Sequence, residues 1–433
     1  MQAGRPVAVS LTPVAAASDS RTIRVAESLA RAGYTSLIWE SVTSAEDPCV
    51  GLDCRLVGAP GAGAARPAVP RSIRTAGRLA PILTRARQGA FGRPGELALF
   101  GALRFEHHRR YAIGPWIPAA DLYYVHSYEL YRAAAALARS VNAPVIYDAH
   151  DFYQGIRRPD ELPSFDRRWM MPFFRQREAE CVAGCDGLVT VSEGTADLIE
   201  REFGRRPIVL RNAHDPRLDI APDRSLRQTL GLAAEDYLFV SVGNYKPGMA
   251  VRELLDALAS GAPSVHVAFV GNGYEDGLAP FAGHPARGRV HAGLGKPSRQ
   301  VVPFIADADA GLVIYKSRSE NYREALPNGF FQVLAAGLPI IYPALPQLVA
   351  TIGGNRVGLC LDDLTADAIA VAMRTIVATP RAAFPDTATV SSQFSWLDDE
   401  RKLMALVAEV TAARAGHPDT SRRHVLAGRE AES

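Results

Sequence analysis

Lysine, cysteine and long apolar runs are scarce in this sequence, and each shortage excludes a class of protein. The 48 basic residues include only four lysines, and the formal net charge is +2. This balance gives no electrostatic reason to expect nucleic acid or an anionic membrane as a partner. The five cysteines are odd in number and loosely spaced, which fits neither a disulfide framework nor a zinc site. No apolar run approaches the length of a membrane span.

The N-terminus has two interpretations. Residues 5–17 resemble a weak signal peptide, but residues 7–11 also have the pattern of a first buried strand, followed by a helix. Cleavage would delete that strand, so we expect the protein to lie in the cytoplasm. A hydrophobic content of 48% with 22% charged residues is typical of a well-packed chain.

Short apolar runs alternate with helical periodicity along the chain, which predicts parallel sheets covered by helices. The predicted strands are residues 7–11, 36–39, 122–125, 145–147, 187–191, 208–210, 237–242, 265–270, 289–292, 311–314, 339–342 and 358–361. The predicted helices are residues 21–32, 131–139, 167–181, 195–202, 251–259, 301–306, 330–336 and 365–376. We therefore predict an α/β fold of two Rossmann-like, doubly wound domains that face a cleft.

The pattern of hydrophobic residues breaks at residues 215–224 and then restarts. We therefore predict an N-terminal domain over residues 1–216, with an irregular, basic insertion at 58–118, and a second domain over 217–392. A helix at 393–415 with an apolar stripe follows. Residues 416–433 are polar and charged, which predicts a disordered tail.

Residues 321–337 run from a polar loop through Leu326, Pro327 and Asn328 into an apolar helix. A loop that enters a helix N-terminus offers free backbone N–H groups and a positive dipole end, which suit a phosphate. Glu324 and Gln332, with seven residues between them, flank that terminus and could bind hydroxyl groups. The alternative is an ordinary core helix with a Pro-Asn start.

Two glycine-containing loops follow predicted strands in the second half. One contains Gly243, Asn244 and Lys246, and the other contains Gly271 and Asn272. Each loop is also compatible with a purely structural turn. Two such loops on successive units, together with the Pro-Asn helix, favour a nucleotide diphosphate as ligand.

His150 follows the predicted strand at 145–147 and therefore lies at its carboxyl end. A lone histidine is commonly structural, but this position favours contact with a sugar hydroxyl or a developing charge. The carboxylates and histidines show no metal-ligand spacing, and neither a serine-hydrolase elbow nor a Walker loop is present. We therefore predict no metal site.

These motifs together resemble the GT-B glycosyltransferases, most closely family 4 of the retaining nucleotide-sugar transferases. The resemblance spans residues 5–415. Its markers are residues 19–21, 147–150, 191–194, 210–213, 242–243, 270–273, 321–323, 325–328, 334–339 and 395–396. The block from Leu326 to Pro339 is the most specific of them.

The resemblance implies an acceptor-binding first domain and a donor-binding second domain, with the last helix crossing back to the first. It also implies that the enzyme uses no cofactor and takes a nucleotide-diphosphate sugar as co-substrate. It implies catalytic roles for His150 and Glu324, and an acceptor side at Asp19, Arg21 and Asp151. The implied donor-binding residues are Gly243, Asn244, Lys246, Gly271, Asn272, Arg323, Leu326, Pro327, Asn328, Gly329 and Gln332. Front-face displacement is the implied mechanism, in which the leaving phosphate takes the acceptor proton.

The sequence departs from the family pattern at three positions. Gly329 replaces a lysine, Gln332 replaces a glutamate, and Met249 stands where an arginine is usual. Fewer charged contacts would then reach the leaving diphosphate.

Three explanations remain open for these departures. In the first, Lys246, Arg252 or Arg323 supplies the missing positive charge. In the second, the acceptor is a strong nucleophile such as a thiol or thione, in natural-product biosynthesis. In the third, catalysis is lost and the chain is a nucleotide-sugar-binding partner subunit. A sugar-nucleotide epimerase is disfavoured because the acidic and histidine clusters it needs are not evident. A small-molecule acceptor and a homodimer are the expected partners.

Overall fold

A computed structural model describes residues 4–57, 85, 92–110 and 117–416. Most of the predicted insertion at 58–118 and nearly all of the predicted tail at 416–433 lie outside these residues. The chain forms two compact units. Unit 1 contains residues 1–190, 196–208 and 402–433, and unit 2 contains residues 191–195 and 209–401. The predicted assignment of acceptor and donor binding to separate domains stays a prediction.

The first sheet has seven strands in the order β3-β2-β1-β4-β5-β6-β7. Its strands are β1 (Val7–Thr12), β2 (Thr35–Glu40), β3 (Arg55–Val57), β4 (Leu122–Val125), β5 (Val145–Ala149), β6 (Gly187–Thr190) and β7 (Ile208–Val209). The pairs from β3 to β6 run parallel. The strand order reverses direction between β1 and β4, and this switch point is where open α/β sheets bind ligands.

Five helices with described bounds accompany the first sheet. They are α1 (Ser20–Arg31), α2 (Gly92–Arg110), α3 (Tyr128–Val141), α4 (Met171–Gly184) and α5 (Glu193–Phe203). Helix α1 begins where the Asp19 side chain accepts a hydrogen bond from the backbone N–H of Thr22 at 3.2 Å. Ser127 caps α3 in the same way through Glu129, so α3 starts three residues before the predicted position.

Unit 2 contains a six-stranded sheet in the order β10-β9-β8-β11-β12-β13. Its strands are β8 (Tyr237–Val242), β9 (Val265–Val270), β10 (Val290–His291), β11 (Ala310–Leu312), β12 (Ile340–Pro343) and β13 (Gly358–Leu361). All of their pairings are parallel. Leu238 and Val240 pack into one core and Phe239 into another, so both faces of β8 are covered.

Helices α6 to α15 complete the described chain. They are α6 (Leu226–Leu230), α7 (Val251–Ala259), α8 (Tyr274–Leu278), α9 (Val301–Ile305), α10 (Glu320–Arg323), α11 (Asn328–Ala335), α12 (Pro346–Ile352), α13 (Ala366–Ala378), α14 (Thr387–Gln393) and α15 (Trp396–Ala415). Within the described ranges, no helix is both long and apolar enough to span a bilayer.

The two parallel sheets with flanking helices confirm the predicted fold class. Some local predictions were wrong, and the short helices α6, α8, α12 and α14 were not predicted. The three-residue strand β3 was missed because its apolar run is too short to show a period. The segment before Pro327 was predicted as a loop, but it contains the one-turn helix α10, which Ser319 caps by accepting from the N–H of Tyr322.

Candidate functional site

In unit 1, the candidate residues lie at the carboxyl ends of β1, β4 and β5. Asp19 follows β1, His126 directly follows β4, and Asp148 and His150 lie at the end of β5. Strands β1, β4 and β5 are neighbours around the switch point of the sheet. Parallel pairing therefore brings residues that are more than a hundred positions apart in sequence to one edge.

A buried ion pair joins Arg21 to Asp148. The Arg21 Nε lies 2.6 Å from Asp148 Oδ2 and its Nη2 lies 3.0 Å from Oδ1, which is a bidentate geometry. The Tyr124 hydroxyl donates to the same Oδ2 at 2.8 Å. Burial opposes ionisation of Asp148, but the Arg21 guanidinium outweighs it and holds the pKa of Asp148 well below its usual range.

His126 and His150 lie close to each other and to this ion pair. Their ring centroids are 5.3 Å apart, and His126 Nδ1 is 3.5 Å from Asp148 Oδ2. Within the described chain, both ring nitrogens of His126 and the Nε2 of His150 are buried without a hydrogen-bond partner. Burial lowers the pKa of His150, with Arg21 and His126 acting in the same direction and Asp148 opposing them. His150 is therefore neutral at pH 7 and able both to donate and to accept a hydrogen bond.

His126, Asp148 and His150 also form a possible metal-ligand group, because one ligand atom from each lies within 4.8 Å of the others. The electrostatics are unfavourable for a cation. Both oxygens of Asp148 already accept hydrogen bonds from Arg21, and the guanidinium adds a fixed positive charge. The unpartnered ring nitrogens fit a neutral hydroxyl-bearing ligand better than a divalent ion.

The predicted acceptor-side residues separate into two groups. Asp19 and Arg21 join the cluster at the strand ends, and the Asp19 carboxylate also accepts from the hydroxyls of Thr12 and Thr22 at 2.8 and 2.6 Å. Burial would raise the pKa of Asp19, but the adjacent histidines and these hydrogen bonds lower it. Asp151 instead lies near Tyr153 and Glu178, and its charge contributes to raising their pKa values.

In unit 2, the two glycine loops are bonded to each other at the ends of β8 and β9. The Asn244 side chain accepts from the N–H of Asn272 at 2.9 Å, and the carbonyl of Asn272 accepts from Tyr245. A Cβ at Gly271 would lie 2.1 Å from the Gly243 oxygen. Glycine is therefore required here for the close approach of two backbones.

Helix α11 begins against the end of β8. Pro327 is its N-cap and provides no side-chain cap, while Asn328 at the first helical position is exposed. A Cβ at Gly329 would lie 2.2 Å from the carbonyl oxygen of Val242. Gly329 therefore lets α11 approach β8 closely. An uncapped helix N-terminus beside two glycine loops is suited to bind an anion.

Glu324 is held in place by its neighbours within unit 2. Its carboxylate accepts from Arg323 Nε at 3.0 Å and from Gln347 Nε2 at 3.1 Å, and its side chain is 12% exposed. A Cβ at Gly194 would lie 2.2 Å from Glu324 Oε2, so Gly194 also leaves room for this carboxylate.

The remaining predicted donor residues differ in exposure. Leu326 is buried in the core, and Gln332 is half-buried on α11. The Lys246 ammonium lies 5.7 Å from the centre of the Tyr322 ring. The guanidinium carbon of Arg252, another candidate cation, lies 5.2 Å from the centre of the Phe281 ring and makes a cation–π contact with it.

Sequence reasoning missed three residues of these clusters. His126 follows β4 as His150 follows β5, so its position at a strand end was an available signal. Tyr124 and Gln347 had no such signal, because their roles depend on contacts 24 and 23 positions away in sequence.

Residues 19–213 match the family model of the glycosyl transferase 4-like domain. No curated protein sequence matches the chain. The structure is similar to sucrose-phosphate synthase from Thermosynechococcus elongatus, with a TM-score of 0.63 and 17% identity over 94% of this chain and 100% of that chain. It is also similar to Anabaena HepE in complex with UDP-glucose, with a TM-score of 0.61 and 15% identity over 93% and 100% of the respective chains.

A third similar structure is an α,α-trehalose-phosphate synthase (UDP-forming) from Burkholderia vietnamiensis. Its TM-score is 0.59, with 14% identity over 94% of this chain and 100% of that chain. Residues 19–213 are thus similar in sequence to the glycosyl transferase 4-like domain, and the two parallel sheets have the GT-B fold. The predicted resemblance is confirmed at this level.

Proposed function

We propose that this protein is a retaining, metal-independent glycosyltransferase that moves a sugar from a nucleoside-diphosphate donor to a small-molecule acceptor. The observation that carries the proposal is the uncapped N-terminus of α11, brought against the glycine loops by Gly329. Its free N–H groups and dipole suit a diphosphate. The UDP-glucose bound to HepE makes UDP-sugars the first donors to test.

The diphosphate is bound mainly by backbone groups in this proposal. Met249, at the position where the family has arginine, is 8% exposed, and its sulfur lies 3.8 Å from the Tyr274 hydroxyl. Lys246 is the cation nearest in sequence to the glycine loops. The helix N-terminus then provides most of the charge stabilisation of the leaving group, and Gln332 binds the ribose hydroxyls.

Unit 1 supplies hydrogen bonds to hydroxyl groups. The neutral His150 and the adjacent His126 have unpartnered ring nitrogens that would bind a sugar hydroxyl. The Arg21–Asp148 ion pair lies next to them, with Asp148 Oδ2 3.5 Å from His126 Nδ1. The leaving phosphate takes the acceptor proton, so no protein base is required, and the enzyme acts by positioning and charge stabilisation.

A thiol or thione acceptor, in natural-product biosynthesis, is part of the same proposal. Such a nucleophile needs less activation of the leaving group, which agrees with Gly329 and Met249 standing where the family has lysine and arginine. The predicted cytoplasmic location and homodimer stay predictions.

A nucleotide-sugar-binding partner subunit is the second candidate function. It is favoured by Met249 and Gly329, which are packed into the interior at the positions where the family has an arginine and a lysine. Neither residue can supply the positive charge of the family's side chain. This candidate predicts donor binding without transfer.

The test combines calorimetry with a turnover assay across UDP-, GDP- and dTDP-sugars, with thiol and hydroxyl acceptors. We expect binding of one nucleotide class and release of its diphosphate in the presence of an acceptor. Binding without release for every acceptor supports the partner subunit. Absence of binding to any nucleotide would refute both candidates.

Three variants locate the site. His150→Ala and His126→Ala should each lower kcat at least tenfold and leave nucleotide affinity within about twofold. Gln332→Ala should weaken nucleotide binding instead. His284→Ala is the control, because that ring is bonded to Asp256 in unit 2 and has no proposed role. Parent-like behaviour of all three variants would show that the site is placed wrongly.

A further inference from the structure

Cys49 and Cys54 form a thiol pair that the proposed reaction does not use. Their sulfur atoms are 3.6 Å apart, although the loose cysteine spacing predicted no pairing. Cys49 is 6% exposed and Cys54 is 1% exposed. Both are free thiols. The side chains already converge, so only a shift of about 1.5 Å separates this contact from a disulfide bond length.

Carboxylate side chains hold the backbone at both cysteines by hydrogen bonds. The Glu27 carboxylate on α1 accepts from the N–H groups of Asp53 and Cys54 at 3.0 and 3.1 Å. Asp47 accepts from the N–H of Cys49 at 2.9 Å. Between the thiols, Val50 is 66% exposed. The backbone on each side of the pair is therefore held by hydrogen bonds, while Val50 of the connecting turn faces solvent.

The geometry points to a redox modification site in which Cys49 and Cys54 form an intramolecular disulfide. The oxidant class is a small disulfide, such as oxidised glutathione. One protein thiolate attacks it, releases one glutathione thiol and forms a mixed disulfide. The second protein thiol then displaces the second glutathione thiol, so two S–H bonds are lost and two small thiols are formed.

Access controls the rate of this reaction. The Cys49 thiol and burial both raise the pKa of Cys54, so little thiolate is present in the closed loop. The reaction therefore proceeds through transient opening of the exposed turn. We expect oxidation over minutes to hours, slower than at the exposed Cys360.

The disulfide would constrain the loop that joins β2 to β3. In that loop Ser44 binds Glu40, and its hydroxyl accepts from the N–H of Ala17. Glu40 also accepts from the N–H of Ala16 at 2.8 Å. Through these bonds the loop supports the segment that leads to Asp19. Oxidation is therefore expected to alter the acceptor side of unit 1 if the proposed function holds.

The experiment treats the full-length Cys360→Ser protein with oxidised glutathione and then blocks the remaining thiols with iodoacetamide. Trypsin releases both cysteines in one peptide, residues 32–55, because no lysine or arginine lies between them. We expect this peptide to lack two hydrogen atoms and to carry no alkyl group. Dithiothreitol should restore two alkylation sites.

Cys49→Ser and Cys54→Ser are the matched variants. In each of them the remaining thiol should stop at a mixed disulfide with glutathione. Oxidation should raise the melting temperature of the Cys360→Ser protein by a few degrees, and this rise should be absent when Cys49 or Cys54 is also replaced. Full alkylation of residues 32–55 after prolonged oxidation, or a link to Cys181 or Cys185 instead, would overturn the inference. None of these readouts requires glycosyl transfer, so the result is independent of the proposed function.

Discussion

At the scale of single residues, two buried carboxylates in unit 1 have opposite ionisation behaviour. Asp148 is paired with the Arg21 guanidinium and is ionised. Glu178 accepts from neutral donors, including the Gln154 amide at 3.4 Å, and its Oε1 has no partner within the described residues. Burial raises the pKa of Glu178 to about 8 despite this bond. Both carboxylates are buried, so the difference between their pKa values comes from the Arg21 guanidinium that contacts Asp148.

Glu178→Gln should remove a pH-dependent loss of stability. The reference pKa of Glu178 is 4.5, so between pH 4.5 and 8 the folded state keeps a proton that the unfolded state loses. Stability therefore falls as pH rises through this window, by about 2–3 kcal/mol between pH 6 and pH 9. The amide has no such proton. Melting temperatures at pH 6 and pH 9 measure the difference.

The exposed Glu235 is the control for this experiment, because Glu235→Gln removes a carboxylate that is not buried. It should leave the difference between the two pH values unchanged. An equal loss of stability at pH 9 in the parent protein and in Glu178→Gln would contradict an alkaline ionisation of Glu178.

At the scale of elements, the approach of α11 to β8 explains a departure from the family pattern. Gly329 stands where the family pattern has a lysine, and the missing charge by itself suggests reduced activity. The structure gives Gly329 a packing role, because a Cβ there would meet the backbone of Val242 at 2.2 Å. Replacing this glycine with the family's lysine would displace the helix and not simply restore a charge.

Gly329→Ala should destabilise the protein by about 1–3 kcal/mol, because backbone atoms have to move to accommodate the methyl group. Nucleotide affinity should fall as well, since the N-terminus of α11 shifts. Chemical denaturation and calorimetry measure the two effects. Gly283→Ala is the matched control, since a Cβ at that position has nothing within 4 Å. Equal stability of the two variants would refute the close approach.

At the scale of the whole molecule, α15 belongs to both units. Its first turn contains Trp396, whose side chain is fully buried. The backbone N–H of Trp396 donates to the His214 carbonyl in unit 2 at 3.2 Å. From Lys402 onward the helix belongs to unit 1, where Leu406 packs against the strand position of Gly187. Arg414 adds an ion pair to Asp186. The predicted apolar stripe thus serves a structural purpose.

Leu406→Ala should lower the free energy of unfolding by about 2–5 kcal/mol, because it leaves a cavity beside β6. Thermal unfolding monitored by circular dichroism measures this loss. Leu397→Ala is the control on the same helix, since Leu397 is 44% exposed and its truncation should cost little. If both variants unfold at the same temperature as the parent protein, α15 does not stabilise unit 1 in this way.

The sequence predicted most of the fold because local periodicity reports burial directly. The strands β8, β9 and β13 and the helix α7 have the predicted bounds. The failures were local and had physical causes. The strand β3 is too short to show a period, and Ser319 caps a one-turn helix inside a segment with polar loop composition. The candidate site was predicted where a motif follows a strand, as with His150 and Gly243.

By itself, the sequence determined the α/β class, the two successive halves and the candidate strand ends, because hydrophobic period and glycine position are local properties. Only the tertiary structure decided which strand ends meet. Parallel pairing placed His126 beside His150 and Arg21 on Asp148, although these partners are distant in the chain. The packing of α11 against β8 likewise gave Gly329 a steric role. Contacts of this kind depend on strand order and packing distance, which no local pattern encodes.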